Sequence, residues 1–402
     1  MRSTLAAPAV ALLLLAVSLT GQTVIRVPQD FGTIQEAIEE GGDDTEIRVS
    51  SGTYPHFQLV ERADITIRAK GKVIIQVDES DGGTVAISLS SSDGITLSKL
   101  RIEGTPNDGI TLNDCTDTHL DKLRLTDISG DAIRVVDSVD TCIEKTRIEN
   151  TLACGVDLVL ADRTLVSKCK FKEIGTSALA LVDSDDAVVE KNKVDLTGED
   201  AFSISDSNDG DYSKNTIKNA GEDGVSVDGT GNLFEKNTLK EPNDDGFDVT
   251  GGSSNVLVKN KVIKAGFRAY YLQGSAQMLE KNTATKPEDD AFVCAGTGGH
   301  TLTGNKAIKP AFDGFWVFDG SDNCTLTDNK ASKAGDDGFD VQATGLDATG
   351  NKSSGADGHG FEVNATGNTF TGNKANGSDG FDLFDDAGGN TYVDNKFKTS
   401  NL

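Results

Sequence analysis

Apolar residues recur along this chain in short alternating pairs: Phe202 with Ile204, Val225 with Val227, Phe247 with Val249, Tyr270 with Leu272, Phe292 with Cys294, Phe315 with Val317, Phe339 with Val341 and Phe361 with Val363. Alternation at every second position predicts short strands with one buried face. The pairs repeat every 22 to 24 residues. A third apolar position keeps the same step through Val189, Tyr212, Phe234, Leu257, Leu279, Leu302, Leu326, Ala348, Phe370 and Tyr392. Self-similarity at such a period means that each repeat is one turn of a solenoid, stacked on its neighbours.

The polar positions carry the same period. Asn recurs at 192, 215, 237, 260, 282, 305, 329, 351, 373 and 395, and the step extends backward through Cys169, Thr146, Leu123 and Leu100. Asp leads the apolar pair at 108, 131, 200, 223, 245, 290, 313, 337 and 379, with breaks at Cys154, Ser177, Arg268 and His359. The six residues DDGFDV occur at Asp244–Val249 and again at Asp336–Val341, 92 residues or four turns apart. Short strands, polar bends and almost no helical periodicity predict an all-β parallel β-helix. Stacked Asn side chains satisfy bend backbone that is otherwise buried and unpaired.

One helix is expected. In TIQEAIEE, Thr33 and Glu36 have capping-box spacing while Ile34, Ala37 and Ile38 share a face, which suits a lid on the first coil. The last residues, NKFKTSNL, offer no comparable cap, and only Lys396 and Lys398 discourage edge pairing there.

Composition changes the picture in three ways. Residues 1–23 read as a charged start, an apolar run from Leu5 to Leu19 and a small-residue cleavage zone, a secretory signal too short for a membrane span. Residues 24–402 then form one domain that is secreted, periplasmic or on the cell surface, since no linker composition interrupts it. That mature chain has 37 basic and 64 acidic side chains, a net charge of −27, which argues against nucleic acid and membrane partners. The six Cys share no position in the repeat, with Cys169 and Cys294 facing inward, so no disulfide pairing is expected from register.

The segments VIRVPQDFGTIQEAIEE and TEIRVSSGTY, with the register that follows them, resemble the pectin-lyase-like superfamily of right-handed parallel β-helices. That group includes polysaccharide lyases, polygalacturonases, pectin esterases and uronan epimerases. The resemblance implies a right-handed coil and a polysaccharide or cell-surface glycan as partner. It carries no single chemistry, because functions vary on one fold.

Within that resemblance, Asp313, the pair Asp336 and Asp337, and His359 fall on successive coils with the spacing of polygalacturonase catalytic residues, where carboxylates act as general acid and as base for water. Ala311 and Phe312 stand where that family has Asn-Thr. The same patch also resembles a calcium-dependent pectate lyase family, whose Asp ligands carry over onto Asp313, Asp336, Asp337 and Asp340, an oxygen set suited to Ca²⁺. Glu362 occupies the position of that family's catalytic Lys.

The residues themselves add a surface strip, whose aromatics either bind carbohydrate or cover neighbouring side chains. One position after each large apolar residue come Ser226, Asp248, Tyr271, Val293, Trp316, Asp340, Glu362 and Asp382, all expected to point outward. Tyr271 and Trp316 lie two coils apart, roughly 10 Å, a spacing compatible with stacking on sugar rings. Arg268 sits one coil from both Asp245 and Asp290, placed for a salt bridge or for recognition of a carboxylated sugar. A further strip, Lys193, Lys261, Lys306, Lys330, Lys352, Lys374 and Lys396, is a solvated face or a track for an anionic polymer.

Two functional classes remain open on these residues: a carbohydrate-active lyase, hydrolase or epimerase, and a non-catalytic surface, adhesive or structural repeat protein. The even coil length favours the second, since no long loop walls a cleft.

Overall fold

The computed structural model describes residues 22–77 and 84–402 of the 402-residue chain. The expected export signal lies outside the described residues over positions 1–21. The predicted β-helix is present: strands pair in parallel with the equivalent strand one coil away, as in Phe247↔Tyr270, Tyr270↔Phe292 and Phe292↔Phe315. A typical coil has three strands, giving three faces. Face 1 holds strands such as Ile110–Asn113, face 2 His119–Asp121 and face 3 Arg124–Ile128. Among the described residues, face 1 is a sheet of 15 strands, whereas faces 2 and 3 join into one of 30 because two early strands, Thr45–Pro55 and Thr66–Gln76, run through the corner between them.

The core is a set of columns. Phe247, Tyr270, Phe292, Phe315, Phe339 and Phe361 stack in one file with ring centroids 5.4, 4.7, 4.8, 4.8 and 4.6 Å apart. Parallel strands at about 4.8 Å impose that spacing, which is also a good aromatic stacking distance. Repeating one residue type per coil therefore satisfies packing and pairing together.

Three ladders close the three corners. Between faces 2 and 3, each Asn accepts from the backbone N–H of its predecessor and donates to a carbonyl. Asn237 N donates to Asn260 Oδ1 at 2.8 Å, Asn260 N to Asn282 Oδ1 at 2.8 Å, and Asn260 Nδ2 to Phe234 O at 2.8 Å. The residue before each Asn is left-handed, with φ near 57° at Lys214 and Lys236, 56° at Lys259 and Lys281, and Gly at 304, 350 and 372. Lys pays a strain of about 1 kcal/mol there that Gly does not.

Sequence reading missed the ladder between faces 1 and 2. Ser138, Ser184 and Ser207 hydroxyls accept the bend N–H in early coils, then Asn232, Asn255, Gln277 and His300 take over. These residue types look unrelated in sequence yet supply the same acceptor. The Asp row forms the third ladder and belongs to the candidate site.

Both ends are covered. The helix Ile34–Gly41 has its capping box, with Glu36 N donating to Thr33 Oγ1 and Thr33 N to Glu36 Oε2, both at 3.1 Å, and it buries Ile34, Ala37 and Ile38. At the other end, where the sequence offers no comparable helix, the chain covers the last coil with its own final residues. The final residues turn back so that Leu383 N bonds Thr399 O, Asp385 N bonds Asn401 Oδ1, and Phe397 packs edge-on to Phe361 at 5.5 Å. Among the described residues no helix is long and apolar enough to cross a membrane.

Candidate functional site

The Asp ladder runs along the corner between faces 3 and 1. Each carboxylate accepts the backbone N–H of the residue in its register one coil on: Asp223 from Asp245 at 2.8 Å, Asp245 from Arg268 at 2.8 Å, Asp290 from Asp313 at 2.7 Å and Asp313 from Asp337 at 2.8 Å. Asp337 accepts from His359 N, and His359 continues the ladder by accepting Phe381 N on Nδ1 at 2.9 Å. Accepting there places the imidazole proton on Nε2. The register neighbour of His359 is thus Phe381, not Asp379, which corrects the row. Correspondingly Glu362 pairs with Phe384, so the outward strip ends in Phe384 and not in Asp382, which is buried. The last DGFD copy is displaced by two residues because ladder geometry, not motif letters, sets the coil.

Stacked carboxylates repel one another, and burial adds to the cost of charge. Burial, then Asp290, pushes Asp313 up to about 8; burial, then Asp200, pushes Asp223 up to about 8. Asp340 rises to about 7 through burial and the Glu362 charge, and Asp290 to about 6, mainly through burial. Asp337 lies well above the usual carboxylate range, held there by burial and by a hydrogen bond shared with the Glu362 carboxyl. Asp336 is exposed beside this group. Asp313, Asp337 and Asp340 therefore form one neighbourhood of carboxyls that hold protons into the neutral range.

Arg268 breaks the row by turning back on Asp245, with Nη2 at 2.8 Å from Oδ2 and Nε at 3.2 Å from Oδ1. Its side chain is 18% exposed, and its guanidinium lies 3.3 Å from the Tyr271 ring centroid. One face of Tyr271 is thereby covered. Trp316 packs edge-on to Phe318 at 5.1 Å, while Val293 between the two is buried. Along this strip three shielded polar atoms lack hydrogen-bond partners: Asp248 Oδ1, Trp316 Nε1 and Asp340 Oδ1.

One column was not recognised from sequence. Backbone bonds run Phe267 N to Asp244 O, Asp289 N to Phe267 O and Asp336 N to Phe312 O, so Asp244, Phe267, Asp289, Phe312 and Asp336 line the same turn, acid and aromatic by turns. Phe267 is 42% and Phe312 53% exposed, two coils or roughly 10 Å apart. The signal was available as large apolar residues in a position where other coils place small or polar residues such as Asn107, Ala153, Thr176, Glu199 and Glu222.

Among the described residues, the acidic trio whose carboxylate oxygens all lie within 4.8 Å of one another is Asp223, Asp244 and Asp245, at the first DDGFDV copy. The Lys strip stacks directly from Lys306 through Lys330, Lys352 and Lys374 to Lys396. Lys261 stands apart, between Thr238 and Thr283. A groove of about 210 Å³ lies on face 3, away from the Asp ladder, lined by Arg147, Glu149, Lys170, Phe171, Lys172, Lys193 and Asp195.

The sequence matches the family described as "Right handed beta helix region" over residues 85–215, 208–353 and 271–401. No curated protein matches it. Among solved structures it is similar to an alginate lyase from Paenibacillus sp. str. FPU-7, at 16% identity and TM-score 0.45, covering 66% of this chain and 95% of that one. It is also similar to the catalytic unit of a GH87 alpha-1,3-glucanase from Streptomyces thermodiastaticus strain HF3-3, at 14% identity and TM-score 0.44, covering 96% and 70%. A third likeness is to the Siphovirus 9NA tailspike receptor binding domain, at 11% identity and TM-score 0.43, covering 93% and 76%. These are likenesses of winding, and none assigns a chemistry to this chain.

Proposed function

The chain belongs to the right-handed β-helix family, and from that premise we propose that it is an exported protein that binds polysaccharide along the corner between faces 3 and 1. The observation that carries this reading is the exposed column in which Phe267 and Phe312 alternate with Asp244, Asp289 and Asp336. Aromatic faces take the C–H face of a sugar ring, and carboxylates between them accept its hydroxyl protons. The unpartnered Trp316 Nε1, Asp248 Oδ1 and Asp340 Oδ1 beside the column offer further donors and acceptors to a polyhydroxylated ligand. An acidic polymer must overcome the negative face; the bridge we assign to it is Ca²⁺ at Asp313, Asp336, Asp337 and Asp340, which must displace the protons that Asp313, Asp337 and Asp340 hold near neutral pH.

The test is binding of the secreted form to a neutral glucan, polygalacturonate and alginate, each with Ca²⁺ and with chelator. Phe312→Ala is expected to weaken binding by about tenfold or more, as loss of an aromatic anchor does. Unchanged affinity in Phe312→Ala and Phe267→Ala would sink the proposal.

A processing activity is the second reading, favoured by the raised Asp337 carboxyl beside Asp340 and Glu362. Hydrolysis needs a carboxyl that keeps its proton at neutral pH and a second that gives up its own. Asp337→Asn preserves the ladder acceptor but removes the acid. New reducing ends that persist in that variant, or their absence in the wild type, reject this reading and leave the binding one standing.

A further inference from the structure

Face 2 carries a cluster with no counterpart in the repeat. His119 and Cys142 are register partners on adjacent strands, and Glu144 lies two residues beyond Cys142 on the same outward side. One donor atom from each, imidazole nitrogen, thiol sulfur and carboxylate oxygen, lies within 4.8 Å of the other two. In the same column the preceding coil has Thr96 and Ser98 and the following coil Leu165 and Ser167, so the adjacent coils do not repeat this donor set. His119 Nε2 is shielded from solvent and has no hydrogen-bond partner; Glu144 Oε2, at 3.7 Å, is too distant to be one. An imidazole nitrogen buried without a partner costs free energy that a ligand recovers.

We propose that His119, Cys142 and Glu144 bind a borderline-soft divalent transition metal, Zn²⁺ in the first instance. Nitrogen, sulfur and oxygen together select such an ion over Ca²⁺ or Mg²⁺, which take oxygen alone. Donors around tetrahedral zinc lie roughly 3.3–3.7 Å apart, so the 3.7 Å between His119 Nε2 and Glu144 Oε2 needs little closure. Three protein ligands leave a fourth position for water. The scaffold is rigid, because all three side chains stand on strands paired on both sides. Binding converts the Cys142 thiol to a metal thiolate, and the proton leaves to solvent.

Three ammonium groups oppose the ion. Lys145 and Lys168 lie 3.4 and 3.5 Å from Glu144 oxygens, and Lys122 lies 2.6 Å from the neighbouring Asp121. Metal binding requires them to turn aside on their flexible stems, and Asp121 Oδ1, 3.8 Å from Lys145 and without a hydrogen-bond partner, adds negative charge at the edge of the site.

The experiment is titration of the full reduced chain with Co²⁺ and then Zn²⁺. One Co²⁺ per chain is expected, with a thiolate-to-cobalt charge-transfer band, visible bands of tetrahedral intensity, displacement by Zn²⁺ and release of a proton. Cys142→Ser should abolish the charge-transfer band, while His119→Ala and Glu144→Gln should weaken binding roughly 10- to 100-fold. Cys154→Ser, which removes a different half-buried thiol, should change nothing. Circular dichroism and melting temperature of each apo variant separate ligand loss from misfolding, and His119→Asn serves if His119→Ala unfolds. A band that survives Cys142→Ser, or no saturable Co²⁺ binding by the folded wild type, overturns the proposal.

Discussion

Asp313 shows how one side chain does two jobs that pull against each other. As a ladder member it must offer Oδ1 to Asp337 N, yet as a buried carboxylate next to Asp290 it resists ionisation, and its value rises to about 8. A folded value above the unfolded one stabilises the fold at low pH, and that stability is lost as pH rises through the folded value. Asn keeps the acceptor and carries no charge. Asp313→Asn is therefore expected to be more stable than wild type at pH 8, on the order of 2 kcal/mol, with a smaller gain at pH 5. Chemical denaturation at both pH values checks this, and an equal effect at the two would contradict the repulsion account. The ladder role of Asp313 was legible as a repeated letter, whereas its displaced proton affinity depends on depth and neighbours that no spacing reveals.

At the scale of the element, a coil is held by its corners as much as by its core. Asn282 accepts from Asn260 N at 2.8 Å and donates to Leu257 O at 2.7 Å, both buried. Asn282→Ala leaves these groups without partners, and a loss of about 3 kcal/mol is expected, from roughly 1–3 kcal/mol for each buried unpaired group. Asn282→Asp keeps the acceptor and, protonated at low pH, offers an O–H donor in place of the amide, so it should fall between Ala and wild type there. Urea unfolding of the two variants tests the order. The Asn ladder could be read because one residue type fills it for ten coils. The ladder at the next corner escaped notice because Ser207, Asn232, Gln277 and His300 present the same acceptor from different side chains.

The whole molecule inherits the sum of its Asp corner. Asp200, Asp245 and Asp290 rise to about 6, Asp248 and Asp340 to about 7 and Asp223 and Asp313 to about 8, in each case chiefly through burial. All favour the protonated fold, so stability should decline as pH rises from about 5 to 8. Opposing them, Asp140, Glu149 and Glu241, held low by hydrogen bonds to Arg163, Arg147 and Lys264, withdraw stability only as pH falls into the acid range. The expected melting temperature is highest near pH 5, and Ca²⁺ should restore part of the loss at pH 8 by binding the folded carboxylates alone. A flat profile between these pH values, or no response to Ca²⁺, would show that the corner is not under this tension.

The period, the inward columns, the capping helix and the Asn ladder were determined by the sequence alone, because a parallel solenoid places each residue above its counterpart and selects the same chemistry again and again. Tertiary structure decided whatever does not repeat. It showed the two-residue displacement of the last coil, the folding back of residues 397–401 over the open end, the cover that Arg268 lays on Tyr271, and the meeting of His119, Cys142 and Glu144. Those features depend on which coil a side chain belongs to and what stands beside it in space, and periodicity, which treats all coils as equal, carries no trace of them.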